Sequence, residues 1–105
     1  MLNIAVLVSG GGTNLQALLD SENPNGKIRL VVASKPGVYA LERAANAGVE
    51  GVVVRRKDYA SSEDFDAALL KTLKEHNIDL VVLAGFLSVL GPSVIEAYPR
   101  RILNI

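Results

Sequence analysis

Three consecutive glycines, Gly10, Gly11 and Gly12, follow an apolar run and precede a stretch with helical periodicity, in the sequence VLVSGGGTNL. Because glycine has no side chain, a ligand oxygen can approach the backbone N–H groups of such a loop closely. The positive end of the helix dipole also attracts anions, and phosphate is the usual occupant. The alternative is that the glycines only form a tight turn. We interpret the loop as a phosphate site, and we expect a side chain at Gly12 to block the ligand while leaving the fold intact.

The spacing of these glycines argues against two common nucleotide loops. A dinucleotide fingerprint is G-x-G-x-x-G, and Leu15 stands where its third glycine is needed. That fingerprint also requires an acidic residue near the end of the second strand, where this chain has Ser34 and Lys35. The G-x-x-x-x-G-K-[ST] run of a Walker loop does not occur. A simpler phosphomonoester is therefore the predicted ligand.

A second candidate site is the apolar segment 84–92, AGFLSVLGP. Gly85 permits close backbone approach, and the apolar side chains of residues 86–90 could enclose a flat ligand whose edge is hydrogen-bonded by main-chain groups. The same pattern is equally typical of a loop that only covers the core. Asn104 is predicted near the carboxyl end of a central strand, where its amide either stabilises an oxyanion or caps the strand backbone.

Composition indicates one globular domain, residues 1–105. Eleven Lys and Arg residues balance eleven Asp and Glu residues, so no excess charge attracts nucleic acid or a membrane. The absence of cysteine excludes a disulfide framework and a thiolate metal site. The first residues lack the basic region of a signal peptide, and no run reaches the ~18 apolar residues of a membrane span. We expect a cytoplasmic protein that binds small molecules, without a metal ion, nucleic acid or a membrane.

Short apolar runs alternate with amphipathic stretches of helical length, which predicts five strands and four helices. The predicted strands are 2–8, 28–33, 52–54, 80–84 and 101–105. The first predicted helix begins near residue 13 and is ended by the segment 21–26, and the second covers 38–47. The third begins after Ser61 or Ser62, and the fourth runs from Pro92 to before Pro99. This order is typical of an α/β Rossmann-like, doubly wound parallel sheet that binds ligands at the carboxyl ends of its strands. The single histidine, His76, is predicted on the surface at a helix C-terminus, without a catalytic role.

Four segments, VLVSGGGTNLQALLD, ALERAANAG, DLVVLAGFLSVLGP and RRILNI, resemble the first half of the glycinamide ribonucleotide formyltransferase family. These are folate-dependent enzymes of purine synthesis, and the resemblance extends over essentially the whole chain. It implies transfer of a formyl group from 10-formyltetrahydrofolate to the amine of glycinamide ribonucleotide, with no metal ion.

The resemblance also implies roles for individual residues. Gly12, Thr13 and Asn14 would bind the phosphate of the ribonucleotide. Asn104 would be catalytic, as the oxyanion donor in a group of Asn, His and Asp. The pterin of the folate would lie against four residues of the second loop: Leu87, Ser88, Val89 and Leu90.

The chain also departs from the family pattern. That pattern continues beyond LNI into a His-Pro-Ser motif with the catalytic His, and later supplies the Asp; these lie outside residues 1–105. Ser62 and Ser88 stand where the family usually has an Arg that contacts ligand, and Lys35 and Arg55 remain unassigned. We therefore expect residues 1–105 alone to bind phosphate ligands without useful turnover, and the uncovered fifth strand allows a homodimer.

Two alternatives remain open. One is a phosphate- or nucleotide-binding module without catalysis. The other is a related formyl-folate enzyme, formyltetrahydrofolate hydrolase or methionyl-tRNA formyltransferase, although the GGGTNL loop favours the purine enzyme.

Overall fold

The computed structural model describes residues 1–21 and 24–105. In these residues the strands are β1 (Leu2–Val8), β2 (Gly26–Ala33), β3 (Glu50–Val53), β4 (Leu80–Leu83) and β5 (Ile102–Asn104). The α-helices are α1 (Thr13–Asp20), α2 (Tyr39–Asn46), α3 (Ser62–Glu75) and α4 (Pro92–Ala97). A short 3₁₀ helix, Arg56–Asp58, lies between β3 and α3. No helix in the described ranges is both long enough and apolar enough to cross a bilayer.

The strands form one parallel sheet in the order β3-β2-β1-β4-β5. The chain runs outward from β1 to β3 and then returns to place β4 on the other side of β1. The strand order therefore reverses between β1 and β4, which is where doubly wound sheets bind their ligands. The predicted α/β doubly wound architecture is confirmed. Asn104 was predicted near the carboxyl end of a central strand, whereas β5 lies at the edge of the five strands formed by the described residues.

Both faces of β1 are buried, and successive side chains point to opposite faces of the sheet. The even-numbered residues of β1 from position 4 onward pack with α1 and α2, whereas residues 5 and 7 pack with α3 and α4. The first layer includes Val6, Leu15 and Ala40, and the second includes Leu7, Phe65 and Val94. Helices on both faces hold β1 rigidly, so the loop that follows it has a fixed base.

Most element boundaries lie within two residues of the predicted ones. Ser61 caps α3, because its Oγ accepts a hydrogen bond of 3.1 Å from the Asp64 N–H, so Ser62 is the first helical residue. The segment 21–26, predicted to separate α1 from β2, is shorter in the structure, because Gly26 is buried and is the first residue of β2. Glu22 and Asn23 of that segment lie outside the described residues. The 3₁₀ helix was not predicted.

Candidate functional site

The glycine loop leads from β1 into α1. Gly12 occupies the N-cap position with φ of 81°, in the left-handed region that favours glycine. The first N–H groups of a helix have no partner within it, and no side chain of the described residues caps α1. Thr13 and Asn14, the first two helical residues, are exposed. The start of α1 can therefore offer backbone N–H groups to an anion.

The three glycines differ in what surrounds them. A Cβ atom on Gly12 would lie 2.8 Å from the Cβ and 3.1 Å from the Cα of Ala40, whereas a Cβ atom on Gly10 or Gly11 would meet nothing within 4 Å. The expectation that a side chain at Gly12 would leave the fold intact was wrong. That such a side chain would block a ligand stays a prediction. Such a side chain would collide with α2 and strain the backbone. Gly11 is a position from which a side chain would enter the open space above the loop.

Arg43 of α2 holds the glycine loop. Its Nε donates a hydrogen bond of 2.8 Å to the carbonyl oxygen of Gly11, and its Nη1 donates one of 3.2 Å to Oε1 of Gln16. Its guanidinium carbon lies 4.7 Å from the ring centroid of Tyr39, within cation–π distance. Sequence reasoning missed this role, because helical periodicity does not show which loop an arginine will reach.

Two buried hydroxyls join the glycine loop to the second candidate loop. The Oγ atoms of Ser9 and Ser34 lie 2.7 Å apart, and the N–H of Leu87 donates a hydrogen bond of 2.9 Å to Ser9 Oγ. Because a hydroxyl donates one hydrogen and accepts others, Ser9 can accept from Leu87 while donating to Ser34. The ends of β1 and β2 and the tip of the second loop are thereby fixed relative to one another.

The second loop, residues 84–92, divides its apolar side chains between solvent and core. Leu87 and Val89 are 80% and 86% exposed, whereas Phe86 and Leu90 pack against the core formed with α3 and α4. Ser88 is partly exposed. The loop thus covers the core and also presents two large apolar side chains to a ligand.

Asp66 of α3 anchors the end of this loop. Its carboxylate is buried; Oδ1 accepts a hydrogen bond of 2.9 Å from the N–H of Gly91, and Oδ2 accepts from Ser93 at 2.8 Å and Val94 at 3.4 Å. The carboxylate therefore satisfies the first N–H groups of α4 and also lies favourably at the positive end of that helix. Sequence reasoning missed Asp66. The available signal was an acidic residue beside Phe65 on the apolar face of a helix, because a buried carboxylate needs partners.

Asn104 lies near the start of the second loop. It pairs with Leu83 at the end of β4, and the N–H of Ile105 donates a hydrogen bond of 3.0 Å to the Leu83 carbonyl. The side chain of Asn104 is exposed. Since β1, β4 and β5 are neighbouring parallel strands, the structure brings the glycine loop, the second loop and Asn104 together at the carboxyl ends of these strands.

His76 lies elsewhere. Its Nδ1 is 2.8 Å from the carbonyl oxygen of Thr72 in the last turn of α3, which confirms the predicted contact with a helix C-terminus. Its Nε2 is 2.9 Å from Oε2 of Glu50, the first residue of β3. His76 therefore lies at the amino end of a strand, whereas the glycine loop follows the carboxyl end of β1. The Glu50 carboxylate, followed by the Thr72 carbonyl, raises the pKa of His76. Ser62 is exposed at the start of α3, and no three His, Asp or Glu side chains of the described ranges converge as a metal site would require.

Comparisons with known proteins point in one direction. Residues 2–105 match the formyl transferase family. The chain is 42% identical to the trifunctional purine biosynthetic protein adenosine-3 of Drosophila melanogaster, over 97% of this chain and 8% of that protein. It is 38% identical to the phosphoribosylglycinamide formyltransferase of Escherichia coli, over 99% of this chain and 50% of that enzyme.

A solved structure agrees. The glycinamide ribonucleotide transformylase 1 of Symbiobacterium toebii superimposes with a TM-score of 0.93 at 41% identity, over 99% of this chain and 50% of that one. The chain thus spans half or less of the length of these relatives. The match over residues 2–105, together with the shared fold, shows that the chain belongs to the formyl transferase family.

Proposed function

We propose that residues 1–105 form one domain, the substrate-binding half of a glycinamide ribonucleotide formyltransferase of purine biosynthesis. The observation that carries the proposal is that the glycine loop, the second loop and Asn104 lie at the carboxyl ends of three neighbouring strands, beside the reversal of strand order. The similarity to enzymes of that name over nearly all of this chain supports it.

The glycine loop is proposed to bind the phosphate of the ribonucleotide. The N–H groups of Thr13 and Asn14 would donate to its oxygens, and Gly12 gives the loop the left-handed backbone that aims them. Arg43 would act as a positioning residue, since it holds the carbonyl of Gly11 away from the anion.

The second loop is proposed to bind the pterin of 10-formyltetrahydrofolate, the cosubstrate. Leu87 and Val89 would supply apolar contact, and Ser88 would supply a hydroxyl. Leu90 packs against the core and would support the loop from below. Asp66 and Ser9 would hold the loop at its end and its tip.

The proposed reaction begins when the substrate amine attacks the formyl carbon. A carbon–nitrogen bond forms, the carbonyl oxygen becomes an oxyanion, and the side-chain amide of Asn104 donates a hydrogen bond to it. The bond from the formyl carbon to the folate nitrogen then breaks, the amine loses a proton, and the folate nitrogen gains one. Asn104 cannot carry that proton at neutral pH, and His76 lies at the opposite edge of the sheet.

A positioned acid–base residue typically contributes 10² to 10⁴ in rate. We therefore propose that residues 1–105 alone bind ligands with little turnover, and that a longer chain supplying such a residue transfers the formyl group. A cytoplasmic location and a homodimer through β5 remain predictions.

Calorimetry with glycinamide ribonucleotide tests the phosphate site. Gly11→Val places a side chain in open space above the loop and should weaken binding by at least about tenfold, because each phosphate hydrogen bond lost costs on the order of 1.5–3 kcal/mol. Ala17→Val, an enlargement of an exposed residue of α1, is the control and should bind as the parent does. Unchanged affinity in a folded Gly11→Val variant would remove phosphate binding from this loop.

A second candidate function is a binding module without catalysis, favoured by the remote position of His76. Formyl transfer measured with residues 1–105 and with a longer chain carrying a downstream histidine separates the two. Turnover only by the longer chain supports the enzyme, and binding without turnover by either supports the module.

A further inference from the structure

The hydroxyl of Ser9 is shared by two loops to which the proposed function assigns different ligands. Ser9 directly precedes the glycine loop and is only 5% exposed. Its Oγ accepts the hydrogen bond of 2.9 Å from the N–H of Leu87, at the tip of the second loop. One buried atom of the segment that enters the proposed phosphate site therefore holds the backbone of the proposed pterin site.

The tip of the second loop depends on this bond. Among the described residues, the bond from Leu87 to Ser9 is the one hydrogen bond that joins residues 85–90 to the rest of the chain. The side chains of Leu87 and Val89 are exposed, so core packing holds the tip at only two of its side chains. A segment with so few contacts opens at a low cost in free energy. The tip therefore has two accessible arrangements, one held by Ser9 and one released from it.

Ser9 lies where a ligand on the glycine loop can restrain it. It follows Val8, the last paired residue of β1, and its main-chain groups form no hydrogen bond in the part of the chain that the structure describes. Gly10, which comes next, is exposed, and glycine permits a wide range of backbone angles. A phosphate bound at the start of α1 would fix the path of residues 10–12 and, with it, the segment that carries Ser9.

We propose that Ser9 is a positioning residue that links the two loops, so that a phosphate ligand on the glycine loop strengthens pterin binding at the second loop. The linkage rests on the proposed function, since it needs a ligand at each loop. A first ligand that orders Ser9 also orders the acceptor of the Leu87 N–H, and the second ligand then loses less conformational entropy. The effect is reciprocal, because each ligand changes the affinity of the other by the same factor. One hydrogen bond carries the linkage, so that factor should be about two to ten.

Calorimetry on residues 1–105 tests the linkage. Tetrahydrofolate, the product of the proposed reaction, is titrated with and without saturating glycinamide ribonucleotide, so that no formyl group is transferred. In the parent, tetrahydrofolate should bind about two- to tenfold more tightly when the ribonucleotide is present. Ser9→Ala removes the acceptor of the Leu87 N–H and should abolish this difference, while the ribonucleotide alone still binds. Ser9→Thr keeps a hydroxyl and should restore the difference.

Ser34→Ala is the matched control. It removes a neighbouring buried hydroxyl, 2.7 Å from Ser9 Oγ, and leaves the bond from Leu87 to Ser9 in place. The linkage in Ser34→Ala should match that of the parent. Without any ligand, hydrogen exchange of the Leu87 amide should accelerate in Ser9→Ala but not in Ser34→Ala.

The outcomes separate the linkage from the proposed function. If the parent binds both ligands without linkage, or if Ser9→Ala keeps the linkage, Ser9 does not couple the loops, although the proposed function stands. Equal loss of linkage in Ser34→Ala would also overturn the coupling role, since general loosening of the site would explain it. Failure of the parent to bind either ligand would overturn the proposed function, and the linkage with it.

Discussion

Replacing Asp66 by Asn tests how the second loop is held. The change keeps the size of the side chain but removes its charge and leaves one oxygen where there were two. The two short bonds, to the N–H groups of Gly91 and Ser93, use different carboxylate oxygens. One of those donors must therefore lose its acceptor and face an NH₂ group in a buried position.

The expected cost follows from those bonds. A buried donor left without its acceptor costs about 1–3 kcal/mol, and the donor that keeps a neutral oxygen instead of a charged one loses about 1 kcal/mol more. We expect Asp66→Asn to lower the free energy of unfolding by about 2–4 kcal/mol, a large part of the ~5–15 kcal/mol typical of a domain. At roughly 4–8 °C per kcal/mol, the Tm should fall by about 8–32 °C.

Urea unfolding followed by circular dichroism measures the effect. Asp64→Asn is the matched control, because it makes the same chemical change on an exposed residue in the first turn of the same helix, where about 1 kcal/mol or less is expected. Hydrogen exchange of the Gly91 and Ser93 amides should accelerate in Asp66→Asn. Gly91→Ala is an independent test, since its Cβ atom would lie 2.7 Å from Asp66 Oδ2. If Asp66→Asn is no more destabilising than Asp64→Asn, the carboxylate does not hold α4.

Three further predictions concern other residues. Gly12→Ala should lower the free energy of unfolding by about 2–4 kcal/mol, through backbone strain and the contact with α2, whereas Gly11→Ala should leave it unchanged or higher; thermal unfolding of both variants checks this. Tyr98→Phe should raise that free energy by about 1 kcal/mol, because the buried Tyr98 hydroxyl has no hydrogen-bond partner among residues 1–21 and 24–105; lower stability in urea would contradict this. Because folding raises the pKa of His76, its contribution is complete below pH ~6.5 and is lost as the pH rises through the raised pKa. Glu50→Gln should flatten that dependence, which amounts to at most about 1 kcal/mol, in unfolding measured from pH 5 to pH 9.

Local patterns in the sequence were sufficient to predict the strands and the α-helices, but not the 3₁₀ helix. Apolar runs marked the strands, and Ser61 and Pro92 marked helix starts, because capping and ring geometry act within a few residues. The order of the strands in the sheet was harder to predict from sequence, since it depends on the side of β1 to which each crossover connection leads. For that reason β5, which carries Asn104, was predicted as a central strand, although it lies at the edge of the five strands formed by the described residues.

The candidate site was only partly accessible from sequence. The glycine loop and the second loop were recognised because glycine and apolar runs have local signatures. The roles of Arg43 and Asp66 depend on contacts 32 and 25 residues away in sequence, to Gly11 and Gly91. A side chain at Gly12 would meet Ala40 of α2. No local pattern in the sequence reveals this, because it depends on how α2 packs.

The start of α1 is proposed to bind the phosphate of glycinamide ribonucleotide. Amide chemical shifts recorded by NMR during titration with that ligand test it most directly. We predict that the N–H signals of Thr13 and Asn14 shift with saturation at one equivalent, as expected for donors to a phosphate, while the N–H of His76 at the opposite edge stays unchanged. Saturable binding that leaves the Thr13 and Asn14 signals in place would show that the phosphate does not bind at the start of α1.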